Sequence, residues 1–242
     1  MKIRFLSILA LAGAFWAADA SAQTEAEFVA AFAGEWRVHD EAFAQGVQIC
    51  RLTLRGEAEE GRYKLDRATC GGELSDVSSW GIADGQMVLF AGTEIAVTLG
   101  GTQRRMSGNS KSGVPVSLER AGAGGSAEQL QAARQAAGCY YLGFTNRCSA
   151  EADLAKPAQA DGGAPTRVQV IVNLNVRAEA RDDAGVIGVI PANSCVSTTV
   201  CATASDGVWC RAEFGDRSGW LRKLTLRQNR WPVVTFLNQC QE

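Results

Sequence analysis

The side chains able to do chemistry in this 242-residue chain are few: eight cysteines, one histidine and carboxylate pairs such as Glu59-Glu60 and Asp182-Asp183. A Ser-His-Asp or Cys-His relay would have to be built on His39, because no second imidazole exists. His39 follows Trp36 and Val38 in an apolar alternation, so with Arg37 and Glu41 it is expected on the solvent side of a strand. Glu59-Glu60 and Asp182-Asp183 sit in polar, turn-like sequence where nothing would raise a carboxyl pKa. The glycines between Gly122 and Gly125 lack the Gly-Lys-Ser/Thr of a phosphate loop. No C-x-x-C pair exists, so zinc-ligand spacing is missing. The expectation is a protein without catalytic residues, metal or cofactor, whose cysteine chemistry is disulfide formation.

Geometry narrows the cysteine pairings. Cys50 lies on one expected strand and Cys70 ends the next, and closing such a loop stabilises by about 3 kcal/mol. Cys201 and Cys210 flank the turn Ser205-Asp206-Gly207 symmetrically, which places them opposite each other in a hairpin. Cys195 and Cys201 share one extended run and are too far apart to bond. Cys139 then falls to Cys148, and Cys195 to Cys240.

An even cysteine count suits an oxidising compartment. Lys2 and Arg4 precede an apolar run over residues 5–18, and Ala20-Ser21-Ala22 is a small-x-small cleavage site. Residues 1–22 therefore read as a secretory signal peptide, with a periplasmic or secreted product and no transmembrane segment. A net charge of −2 argues against a nucleic-acid partner.

Composition breaks at residues 121–126 and 157–165 divide the remainder into three parts: 23–120, a linker over 121–165, and 166–242. In the first, Thr24 and Glu27 fit a capping box for a short helix carrying Phe28 and Phe32 on one face, stopped near Gly34. Period-two runs follow, among them Trp36/Val38, Cys50/Leu52/Leu54, Tyr63/Leu65, Met87/Leu89, Ile95/Val97 and Val116/Leu118. Glycine turns separate them, so roughly eight strands of an antiparallel barrel or sandwich are expected. The linker holds a possible capping box, Ser126 with Gln129, for a helix over 127–137 stopped at Gly138. After it, residues 139–148 form a closed loop with an aromatic tip, either packed on a barrel or contacting a partner. The third part repeats the β signal over 168–172 leading into 174–177, followed by 186–190, 196–201, 208–214 and 220–224, lengths that suit a five-stranded barrel.

With that pattern in view, the first part resembles the bacterial alkaline-metalloprotease inhibitor (Inh-type) family. The matching stretches are Ala33-Gly34-Glu35-Trp36-Arg37-Val38, Cys50-Arg51-Leu52-Thr53-Leu54, Tyr63-Lys64-Leu65 leading to Cys70, and Val77 with Trp80. Gly85 with Met87 to Leu89, Gly108, and Gly113 with Leu118 and Arg120 continue them in order. The resemblance implies an eight-stranded, lipocalin-like barrel with one disulfide. It also implies an arm ahead of the barrel, here Gln23, Thr24, Glu25, Ala26 and Glu27, that enters the cleft of a secreted, serralysin-type zinc metalloprotease. The last part resembles a bacterial SH3-like domain through Leu174-Asn175-Val176-Arg177, Ile187-Gly188, Ile190-Pro191, Val208-Trp209-Cys210-Arg211 and Gly219-Trp220-Leu221. Ala178-Glu179-Ala180 departs from that pattern where a ligand groove is usually lined, and Trp209 and Trp220 would be core or groove wall. The fold expected is thus all-β, a lipocalin-like barrel plus a small SH3-like β-barrel joined by a partly helical linker.

Two functions follow as expectations, and a third, a small apolar ligand bound in the barrel, rests only on the lipocalin-like shape that the resemblance implies. One is a periplasmic inhibitor of a secreted zinc metalloprotease with an SH3-like docking module. The other is a cell-envelope binding protein that recognises a protein partner or peptidoglycan and inhibits nothing. Mass spectrometry of the native mature protein should find no free thiol; two or more reactive cysteines would contradict the disulfide reading.

Overall fold

A computed structural model describes residues 24–122, 125–158 and 164–240; the expected signal peptide and Gln23 lie outside them. Helix α1 (Glu25–Phe32) starts where its capping box dictates. The Thr24 hydroxyl accepts from the Glu27 amide at 3.3 Å, and the Glu27 carboxylate accepts from the Thr24 amide at 2.9 Å. Phe28 and Phe32, one turn apart, stack at 4.3 Å, and the Trp36 indole donates to the Phe32 carbonyl at 2.9 Å.

Eight strands follow: β1 (Gly34–Val38), β2 (Cys50–Glu59), β3 (Arg62–Ala68), β4 (Val77–Ala83), β5 (Gln86–Ala91), β6 (Glu94–Gly101), β7 (Arg105–Ser110) and β8 (Pro115–Arg120). They close into an antiparallel barrel in sequence order, β8 returning to β1 through Trp36 opposite Arg120 and Arg37 opposite Glu119. The period-two alternation turns Trp36, Leu52, Trp80, Leu89, Leu99 and Leu118 inward, where each is at most 1% exposed. Arg120 fastens the helix to this barrel. Its guanidinium donates to the carbonyls of Ala31 and Ala33 at 2.5 and 3.0 Å, capping the C-terminal end of α1, and stacks 4.7 Å from the Trp36 ring. Gly34 turns the chain out of the helix at φ +128, and a Cβ there would sit 2.9 Å from the Arg120 guanidinium.

The linker forms α2 (Ser126–Ala137), ending at Gly138 in the left-handed region, and a two-residue strand, β9 (Tyr141–Leu142). The expected Ser126–Gln129 capping box is not formed. Gly125 holds the N-cap position, and the Ser126 hydroxyl instead donates to Asp206 at 3.1 Å.

The third part contains β10 (Thr166–Val170), β11 (Leu174–Arg177), β12 (Val186–Ile190), β13 (Ser194–Ala204), β14 (Gly207–Phe214), β15 (Arg217–Arg222), β16 (Leu224–Arg227), β17 (Trp231–Val234) and β18 (Phe236–Leu237). It is larger than the five-stranded barrel expected. Seven strands form one sheet in the order β12-β11-β15-β14-β13-β10-β18, and β16-β17-β9 form a second. The hairpin of β16 and β17 turns through residues 228–230, with Gln228 and Asn229 both at positive φ, a three-residue loop without the glycine that would have announced it. β9 joins this small sheet parallel to β17, and α2 packs Leu130 against Leu224 and Val234, so the linker belongs physically to the third part.

All eight cysteines are paired: Cys50–Cys70, Cys139–Cys148, Cys195–Cys240 and Cys201–Cys210. Cys201 and Cys210 stand directly opposite in the β13–β14 register.

Because Arg120 supplies charge-assisted bonds to two helix carbonyls, Arg120→Ala should cost about 2 kcal/mol. Urea unfolding followed by tryptophan fluorescence would read it, and an unchanged midpoint would remove the clamp from the account.

Candidate functional site

Charged residues from distant parts of the chain converge between the two β units. Asp206 lies in the β13–β14 turn and is 1% exposed. Arg105, which opens β7 of the barrel, reaches its carboxylate at 2.9 Å, and Arg222, at the end of β15, at 3.1 Å. The Arg222 contact is one of charge alone, since its Nη2 is not aligned for a hydrogen bond. The Trp209 indole donates to Asp206 at 3.0 Å and the Ser126 hydroxyl at 3.1 Å, the latter from the first turn of α2, where the helix dipole favours an anion. Burial alone would raise the Asp206 carboxyl; Arg222 and Arg105, with the hydrogen bonds, more than offset it and hold the pKa below the ordinary value.

The same junction is tied twice more. Glu119 of β8 lies 3.3 Å from Arg105 and accepts from the amide and hydroxyl of Ser205, the amide at 2.7 Å. Asp40 accepts from Lys156 of the linker at 2.8 Å and from the Thr203 amide at 2.7 Å, while its other contact, from Ala42 at 3.0 Å, caps a short 3-10 turn.

Asp40 also explains His39. Strand β1 stops at Val38, the chain turns inward to bury Asp40, and His39 becomes half-buried beside the junction rather than a solvent-facing strand residue. Burial lowers its pKa; the Glu119 carboxylate opposes this, and Arg37 and Arg105 reinforce it. His39, Ser205 and Glu119 line one cleft of about 860 Å³. They form no relay: the Ser205 hydroxyl donates straight to Glu119, and among the described residues no hydrogen bond joins His39 to either. The geometry suits holding two units together rather than passing a proton.

The other expected site residues are placed as follows. Thr24 to Glu27 are exposed, but Thr24 is a cap and Glu25 to Glu27 are the first helical turn; the Glu25 carboxylate accepts from the Tyr63 hydroxyl at 2.9 Å. Trp209 is fully buried under Asp206, with Trp220 half-buried against it, so this pair packs the junction rather than walling an open groove. Glu60 lies in the β2–β3 turn at positive φ, and Asp183 pairs with Arg181 at 2.7 Å, both exposed. Among the described residues no three His, Cys, Asp or Glu side chains cluster for a metal, and no helix is long and apolar enough to cross a membrane.

No family model and no curated protein matches this chain.

Lys223 escaped the sequence reading as well. Fully buried, it donates to the Ala155 carbonyl at 3.0 Å and to the Asn238 side chain, and burial, opposed by Asp153, lowers its pKa to about 8.

Asp206→Ala should cost about 3–5 kcal/mol, because it takes the ion pair from buried Arg222 and leaves Arg105 with Glu119 alone. It should also split unfolding into two transitions, one per unit; a single transition at the wild-type midpoint would dismiss the junction. The pH dependence carries a definite sign. A folded pKa below the ordinary His value means the unfolded chain takes the proton first, so the His39 contribution is complete above about pH 6.5 and is lost as pH falls below it. Asp206, held below the carboxylate range, fades only further down. His39→Gln should therefore flatten the stability loss between about pH 7 and pH 5 in calorimetry.

Proposed function

We propose that this is an exported inhibitor of a secreted zinc metalloprotease, acting as a binding protein and not as an enzyme, with the third part as a docking module. The observation that carries the proposal is the barrel: eight antiparallel strands, a helix fastened to them by Arg120, and the single bridge Cys50–Cys70. These are the features that the resemblance to the alkaline-metalloprotease inhibitor family leads one to expect. A barrel interior filled by Trp36, Trp80 and their neighbours leaves recognition to the outside, which disfavours a carrier of small apolar ligands.

The inhibitory end is the N-terminus of α1. Thr24 to Glu27 are exposed there, and Glu25 and Glu27 bring carboxylate oxygens, donors suited to a zinc ion in a protease cleft. Glu27 is held by Thr24 and Glu25 by Tyr63, so engagement either displaces those bonds or uses the residues ahead of them. The second reading, a cell-envelope protein that binds a protein or peptidoglycan without inhibition, draws on the SH3-like resemblance of the third part; the burial of Trp209 counts against a groove in that place.

Titrating the mature protein into a serralysin-type protease assay should give saturable inhibition. Deleting residues 23–27 should abolish it while lowering stability by about 1 kcal/mol through the lost cap. Inhibition that survives the deletion would move the contact to another face of the barrel, and no inhibition by the intact protein would end this reading.

A further inference from the structure

One surface stands apart from both the junction and α1. Tyr141, Phe144, Arg227, Trp231 and Val233 line a groove of about 350 Å³ where β9 and its disulfide loop meet the β16–β17 hairpin. Phe144 is 57% exposed and Trp231 37%, large values for aromatic rings. The groove is rigid. The Cys139–Cys148 bridge closes the loop, and Gly143, at φ +55, donates to the Val234 carbonyl at 3.0 Å where a Cβ would crowd Val172 at 3.2 Å. Tyr141 meets Trp231 edge-on at 6.1 Å.

The charge is one-sided. Arg227 stacks 4.5 Å from the Phe144 ring and Arg230 4.6 Å from the Trp231 ring. Arg147 is exposed next to the groove residue Asn146. Residues 139–150 and 224–236 contain no acid, in a chain whose overall charge is −2. Among the described residues no carboxylate pairs with any of these three guanidiniums. A guanidinium laid on a ring keeps its N–H edge free for carboxylates. A neutral sugar suits the site less well, since its hydroxyls need acceptors, and the Thr145 hydroxyl is already engaged with Leu142 at 2.7 Å.

We propose that this groove docks an extended acidic segment of a protein partner, an apolar side chain seated between Phe144 and Trp231 and flanking carboxylates on Arg227 and Arg230. The proposal does not rest on the inhibitor reading, because it uses the opposite part of the chain. A fluorescein-labelled Asp/Glu-rich peptide with a central Phe-Leu pair, titrated into the full mature protein at low salt, should bind saturably by anisotropy. Raising salt to physiological strength should weaken it about tenfold. Phe144→Ala should weaken it by about tenfold or more. The double variant Arg227→Glu, Arg230→Glu should lose the acidic peptide and gain the same peptide with Lys at each acidic position. These side chains are exposed, and a thermal melt checks that the variants fold. The proposal is overturned if the intact protein shows no saturable binding, if neither variant changes it, if the Lys peptide binds wild type equally well, or if polygalacturonate binds and the acidic peptide does not.

Discussion

Among the described residues two carboxylates are buried, Asp206 and Asp40, and each draws partners from parts of the chain other than its own. Asp206 belongs to the third part and takes Arg105 from the barrel and Ser126 from the linker. Asp40 belongs to the barrel and takes the Thr203 amide from the third part and Lys156 from the linker. A buried carboxylate needs its partners, and separating the units takes Arg105 from Asp206 and Thr203 from Asp40 at once. The units are therefore held in one pose by reciprocal exchange of charge, without a broad apolar seam. Trp209, Ser126 and His39 all take their positions from this exchange.

The linker is the third participant. Its helix gives its apolar face to the β16–β17 sheet and its first turn to Asp206, while Lys156 reaches back to Asp40. The same packing sets β9 beside β17 and so presents the aromatic groove on the far side. One segment thus serves the junction with its polar ends and shapes an outer surface with its loop.

The barrel was legible because its code is local. Period-two runs such as Cys50, Leu52 and Leu54 state which face is inward, and Thr24 with Glu27 states where the helix begins. The cysteine pairs followed because Cys201 and Cys210 count equally from a recognisable turn. The junction was not legible, since Arg105 and Asp206 are 101 positions apart and each alone looks like a solvated charge in a turn. A weak signal did exist in Arg222-Lys223, two cations between Leu221 and Leu224, where a strand should have alternated. The Ser126 capping box failed for the same reason: a hydroxyl that could serve its own helix found a stronger, charged acceptor far along the chain. Trp209 and Trp220 read equally as core or groove wall, because those two roles look alike in sequence until the donor of Trp209 is seen to meet Asp206.

The nesting of two bridges sets an order of events at biosynthesis. Cys195–Cys240 encloses Cys201–Cys210 entirely, and Cys240 is made after Cys210. While the chain emerges, Cys195, Cys201 and Cys210 coexist as thiols without the native mate of the first. Cross-strand register favours Cys201 with Cys210, which takes both competitors away before Cys240 arrives. The hairpin thus acts as its own proofreader, and the same hairpin carries Asp206 at its tip. Correct oxidation and correct docking are decided by one turn of chain.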